Sequence, residues 1–190
     1  MSSTSAPFGL RPAFHPSGLD RAQAFANGIA SAYNTDILKG QPVKLNSSGN
    51  IVVAAAGDSF QGAFAGVEWT DTTGRRRVSN YWPANTAYQA GSCVAYFYND
   101  PLIVYEIQAD GSVAQTAIGD NANFSNLTAG STTTGLSQCT MSATLTGTST
   151  YGQLRIVDLA PYADNAWGDA YTIVRVQIAN HQLVATLNAI

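Results

Sequence analysis

The side chains able to carry acid–base, nucleophilic or metal chemistry are few and far apart in this chain. It has two glutamates, Glu68 and Glu106. Glycoside hydrolysis needs two carboxyl groups, ~5 Å apart for retention and further apart for inversion. Glu68 stands beside Trp69, with Asp71 close behind, as in a fragment of a sugar site. However, Glu68 precedes a turn, and Glu106 alternates with Tyr105 and Ile107 as a solvent-facing strand residue does. Both read as ordinary surface carboxylates. The two histidines are His15, set among prolines, and His181, at a turn after Ala-Asn. A hydrolytic triad needs a nucleophile, a base and a group that orients the base, and the sequence holds no G-x-S-x-G elbow. A metal site needs three or four ligands at suitable spacing. Cys93 and Cys139 are far apart, with no C-x-x-C. They read as buried free thiols in strands, a disulfide being the alternative. The expectation is a protein that is not an enzyme, with no catalytic residue, no cofactor and no metal.

Binding chemistry has three candidate sources. Trp69, Tyr81, Trp82 and Tyr88 are read as core or interface packing, with an exposed sugar platform as the alternative. The run Arg75-Arg76-Arg77 follows the turn Asp71-Thr72-Thr73-Gly74. On a strand, Arg75 and Arg77 share a face and Arg76 takes the other. Two readings stand: a charged edge that blocks strand pairing, or a docking site for an acidic partner. The third source is the N-terminal segment to Gly18, which carries Pro7, Pro12 and Pro16 together with Phe8, Leu10, Arg11, Phe14 and His15. Its prolines make it an extended arm. Its apolar rings serve attachment to a partner, or they fold back on the chain's own domain. The triplets N-x-S/T at Asn46, Asn123 and Asn126 read as turn composition.

The elements that must position these residues are β-strands. From Phe60 to Gln108, four runs rich in Val, Ile, Phe, Tyr and Trp are separated by turn residues, which predicts an antiparallel meander. Upstream, Asp36–Leu45 reads as strand, tight turn and strand, then a hairpin at 46–50 and a return strand from Ile51 to Ala56. Downstream, 109–111 is a hairpin turn, and 119–135 reads as a long polar loop with little to bury. Over 136–146, Cys139, Met141, Ala143 and Leu145 share one face. Leu154–Leu159 is a strand. Residues 161–169 form a loop with Trp167. Thr172, Val174, Val176 and Ile178 line one face of another strand, and His181–Leu187 reads as a last one. Residues 19–33 fit a short Ala-rich helix or an extended segment anchored by Phe25, Ile29 and Tyr33. The predicted fold is all-β: an antiparallel sandwich, jelly roll or barrel of about ten short strands. The division is an arm and anchor segment over 1–33 and a β-domain over 34–190.

Composition narrows the partners. The chain is 45% apolar but only 11% charged, against the usual ~25%. A neutral polar surface suits a protein whose faces are engaged by neighbours. The net charge is −3 without a basic block, which argues against nucleic acid. The opening MSSTSAPFG has no apolar signal region, and no apolar run approaches the ~20 residues of a membrane helix.

Several short patches carry a family resemblance. These are Ala6-Pro7-Phe8-Gly9-Leu10-Arg11-Pro12 with His15-Pro16-Ser17-Gly18, then Gly28-Ile29-Ala30-Ser31-Ala32-Tyr33, Lys39-Gly40-Gln41-Pro42-Val43 and Phe64-Ala65-Gly66-Val67-Glu68-Trp69. In these the chain resembles the capsid decoration, or cement, proteins of tailed bacteriophages. The resemblance implies a non-enzymatic β-rich homo-oligomer, dimer or trimer, on the outer surface of the virion head, clamping neighbouring subunits of the major capsid protein. Phe8, Leu10, Arg11, Phe14, His15, Arg75, Arg76 and Arg77 are the residues expected to contact the capsid. The alternative is a carbohydrate- or receptor-binding β-domain of a virion.

Overall fold

A computed structural model describes residues 2–18, 22–26, 28–147 and 151–186. Among these the chain forms fourteen strands and one short 3-10 turn at Gln115–Ala117. The first eight strands are β1 (Arg11–Phe14), β2 (Gln23–Ala26), β3 (Pro42–Leu45), β4 (Ile51–Val53), β5 (Gly62–Thr70), β6 (Arg76–Ser79), β7 (Val94–Tyr98) and β8 (Val104–Gln108). The rest are β9 (Asn121–Ser125), β10 (Gly130–Ser131), β11 (Leu136–Ser137), β12 (Thr140–Leu145), β13 (Leu154–Leu159) and β14 (Ile173–Ile178). All pairings between these strands are antiparallel, and they build two six-stranded sheets and a small hairpin of β10 and β11. The first sheet runs β1-β8-β14-β13-β9-β12, and the second β2-β7-β5-β3-β4. β6 lies along the far end of β5, from Val67↔Ser79 to Thr70↔Arg76, whereas β3 takes its near end. Neither sheet closes on itself, so the fold is a sandwich and not a barrel.

Two apolar clusters hold the sheets. The larger joins inward residues of the first sheet, such as Tyr105, Ile107, Phe124, Met141, Leu154, Val174 and Val176, to Phe60 and Ala63 at the start of β5. The rings of Phe60 and Phe124 meet edge to face at 5.1 Å, a favoured aromatic geometry. The second cluster gathers Ile29, Ile37, Val43, Phe64, Val67, Trp82 and Phe97. Phe64 and Val67 share this cluster, although a spacing of three puts residues on opposite faces of a regular strand. A break in the β5–β7 register between Phe64 and Gly66 resolves the mismatch by adding one residue.

Several local expectations change. The Phe60–Gln108 stretch is not one meander, because β5, β6 and β7 belong to the second sheet and β8 to the first. The crossing is the turn after Asn99, where the Leu102 amide donates to Asp100 Oδ1 at 2.9 Å. Residues 22–26 are extended, with β2 paired to β7, while residues 19–21 and 27 lie outside the described residues. Gly28 is needed there for closeness: a Cβ would lie 2.9 Å from Phe25 O and 3.1 Å from Ala95 Cβ. The polar 119–135 loop contains β9, an interior strand of the first sheet whose Ala122 and Phe124 are buried. The return strand from Ile51 stops at Val53. The expected last strand is instead a turn joined by one bridge, Phe60↔His181, and Leu187 lies outside the described residues. Segment 1–33 contributes an edge strand to each sheet, β1 to the first and β2 to the second. Both cysteines are buried free thiols.

Candidate functional site

The arm is positioned by its own sheet. β1 pairs with β8 as Arg11↔Glu106, Pro12↔Tyr105 and Phe14↔Val104. Proline suits such an edge, where a missing N–H breaks no ladder on the open side. Leu10 N–H donates to Gly40 O at 2.8 Å. Gly9, at φ 77°, lets the backbones approach; a Cβ there would stand 2.8 Å from Gly40 O. Leu10 is fully buried in the larger core cluster. It is therefore removed from the expected contact residues and anchors the arm instead. Phe8 is half-buried, whereas Arg11 and Phe14 are exposed.

Glu106 is the centre of this region. It accepts from Arg11 Nη2 at 2.7 Å and from the Tyr162 hydroxyl at 2.5 Å, and Arg175 Nε lies 3.8 Å from its other oxygen. The Arg11 guanidinium sits 4.4 Å from the Phe8 ring centre, and that of Arg175 sits 5.3 Å from the Phe14 ring, both within cation–π range. Glu106 was expected to face solvent, yet it is only 7% exposed. The residues around it explain the difference. Gln108, next on the same face, accepts from Ala6 N–H and donates to Thr4 O. The Ser2 hydroxyl lies between Asp164 O and Asp169 Oδ2, and Ser2 O accepts from Tyr171 N–H at 2.7 Å. The first residues of the chain and the loop holding Tyr162 thus cover the outer face of β8 and β14. Burial beside Glu106 pushes the Tyr162 phenol up. Next to this cluster, a cleft of about 350 Å³ opens between Phe8, Pro12, Lys39, Tyr98 and Leu136.

The arginine run lies elsewhere, on the second sheet. Arg75 precedes β6, and Arg76 and Arg77 open it. Arg76 pairs with Glu68 at 2.7 Å and Arg77 with Asp71 at 2.9 Å, across β5 and its turn. Thr73 Oγ1 and the Thr73 and Arg75 amides also donate to Asp71, and they hold its carboxyl below the usual carboxylate range. Two of the three arginines are thus neutralised within the chain. Exposed pairs of this kind contribute ~0–1 kcal/mol each. The neighbouring Val78 is 76% exposed on this edge.

The remaining candidates do not converge. Glu68 and Glu106 lie on different sheets, each in its own ion pair. Trp69, Trp82 and Tyr88 stack edge to face within the second core cluster. Trp82 is fully buried, and Tyr88 donates to Ile29 O at 2.6 Å. Among the described residues no cluster of His, Cys, Asp or Glu could hold a metal ion, and no helix is long and apolar enough to cross a membrane. His15 and His181 do approach one element, the Asn99–Asp100 turn. Tyr162 and Arg175 escaped sequence reasoning: Tyr162 lies in a loop, and Arg175 is one polar residue between Val174 and Val176. No family model, curated protein or solved structure matches the chain.

Proposed function

We propose that this chain is a non-enzymatic structural protein of a phage head. In this reading it binds the outer capsid surface as a homo-oligomer, dimer or trimer, and clamps neighbouring major capsid subunits. The observation that carries the reading is the build of the arm. Leu10 and Glu106 hold β1 rigidly on an otherwise unpaired sheet edge, while Arg11 and Phe14 remain exposed. A preformed edge loses little freedom on docking and presents the exposed Arg11 and Phe14 side chains in fixed positions. The patches that resemble decoration proteins include this arm, and the low charge of the chain suits a surface engaged by neighbours. The buried Trp69 and Trp82 give no support to a sugar platform.

The test is co-sedimentation with phage heads stripped of decoration. The wild-type chain should pellet with heads. Phe14→Ser, on an exposed side chain, should keep its melting temperature and lose most of the binding. A wild-type chain that fails to pellet but binds a glycan array would overturn the reading.

A further inference from the structure

The two histidines come from opposite ends of the chain and point at the same place. His15 follows β1, and His181 follows β14. Each ring accepts, at Nδ1, the backbone N–H two residues ahead: Ser17 N–H at 3.0 Å and Leu183 N–H at 3.1 Å. Each presents Nε2 to the crossing between the sheets. His15 Nε2 lies 3.3 Å from Asp100 Oδ1. His181 Nε2 lies 3.1 Å from Asn99 O and 3.0 Å from Gln61 O. A backbone N–H only donates, and a carbonyl only accepts. The neighbours of His181 therefore fix its tautomer, with the proton on Nε2 and the lone pair on Nδ1. The neutral ring satisfies both nitrogens. A second proton, on Nδ1, would face the Leu183 N–H head on.

The ionisable groups on the elements around His181 are few. Asp100, which His15 approaches, lies on the crossing. The Lys44–Asp58 pair, closed at 2.5 Å, joins β3 to the turn before Phe60. The buried Tyr105 hydroxyl donates to Tyr98 O at 3.1 Å. The Asp100 charge favours an imidazolium, but burial outweighs it and holds the ring below the ordinary imidazole range.

We propose that His181 is a proton-operated latch. The neutral ring fastens the Leu183 end of its turn to the crossing between the sheets, and a proton on Nδ1 ejects the Leu183 amide, leaving the turn held by Gln182, whose side chain accepts from Leu45 N–H and donates to Leu45 O. Leu183 is 67% exposed, so its amide has water at hand once the bond to the ring is lost. The direction with pH follows from where the proton binds. The unfolded ring takes a proton near the ordinary imidazole value of about 6.5, and the buried native ring resists it. The latch thus contributes its full stability above that pH, and the contribution is lost as pH falls toward the lower native value.

The test is a nitrogen-15 NMR titration of the full chain from about pH 7.5 to about pH 4.5, spanning the ordinary imidazole range. At the upper end His181 should show the Nε2–H tautomer. As its ring titrates, protection of the Leu183 amide, corrected for intrinsic exchange, should fall roughly fivefold, the factor carried by the loss of one ordinary hydrogen bond. Protection of the Val174 and Val176 amides should hold. His181→Gln should remove the dependence. If that variant does not fold, the tautomer and the Leu183 protection of the wild-type chain decide alone. An Nδ1–H tautomer at pH 7.5, flat Leu183 protection while the ring titrates, or a ring that stays neutral until the whole domain unfolds would each overturn the latch.

Discussion

Replacing Leu10 with Ala separates an arm that belongs to the fold from one that merely rests on it. Leu10 is 0% exposed and shares a cluster with Phe60, Ile103 and Tyr105. Truncating a fully buried leucine removes its transfer free energy and leaves a cavity, about 2–5 kcal/mol in total. For a domain of this size, each kcal/mol moves the melting temperature by about 2–4 °C. A loss near ~3 kcal/mol therefore corresponds to a drop of roughly 6–12 °C, well within the reach of differential scanning calorimetry. A chain starting at Leu19 should fare worse. It loses Leu10, the β1–β8 pairing and the Arg11 partner of Glu106, and it leaves the β8 edge open. Such a chain is expected to melt lower still or to be insoluble. A Leu10→Ala melting temperature within ~2 °C of wild type would refute the reasoning, because core leucines do not cost so little. It would mean that the arm leaves its sheet in solution.

Other variants probe the remaining features. Glu106→Gln removes the charge that Arg11 and Arg175 share; because Arg11 is half exposed, the expected cost is about 1–3 kcal/mol, readable as a shifted urea midpoint. Changing Arg75, Arg76 and Arg77 to Ser should weaken capture by heads only at low salt and by less than ~1 kcal/mol per side chain, because Glu68 and Asp71 already satisfy two of them; sedimentation across a salt series would show it. Both cysteines should resist a thiol reagent in the native protein and react together on unfolding, since burial keeps Cys93 protonated and pushes the Cys139 thiol up to about 11; fast labelling of Cys139 in native protein would contradict its place in the core.

The fold was legible wherever apolar residues alternate strictly. Cys139 and Met141 point into the core as their spacing implied, and Leu154–Leu159 is a strand as read, although its alternation breaks after Ile156, where Val157 and Asp158 are exposed. The same rule failed for β9, where Asn121, Asn123 and Ser125 alternate with Ala122 and Phe124 and the polar majority concealed the period. Glu106 failed for a different reason. Its alternation with Tyr105 and Ile107 is real, but what covers its face comes from Ala6 and Tyr162, distant in sequence. Alternation reports which residues share a face, and it is silent about what lies over that face. The sheet-to-sheet crossing at Asn99 was equally hidden, since a turn of Asn, Asp and Pro looks the same whether the next strand pairs locally or not. Both histidines looked isolated in sequence, and only the meeting of the chain ends gives them a shared neighbour.

The pairing of β1 with β8 also sets an order of events at the ribosome. Arg11 is made 95 residues before Glu106, its partner across the sheet. At ~5–20 residues per second, the arm emerges about 5–20 seconds before there is an edge for it to join. Throughout that interval it is an unpaired extended segment bearing Phe8, Leu10 and Phe14, the kind of strand that otherwise joins a neighbour. Pro7, Pro12 and Pro16 remove three amide donors from it. They thereby deny a foreign strand a continuous ladder, while the final β1–β8 register tolerates Pro12 on an edge. The prolines that give the arm its shape also keep it from pairing with the wrong strand until its own has been made.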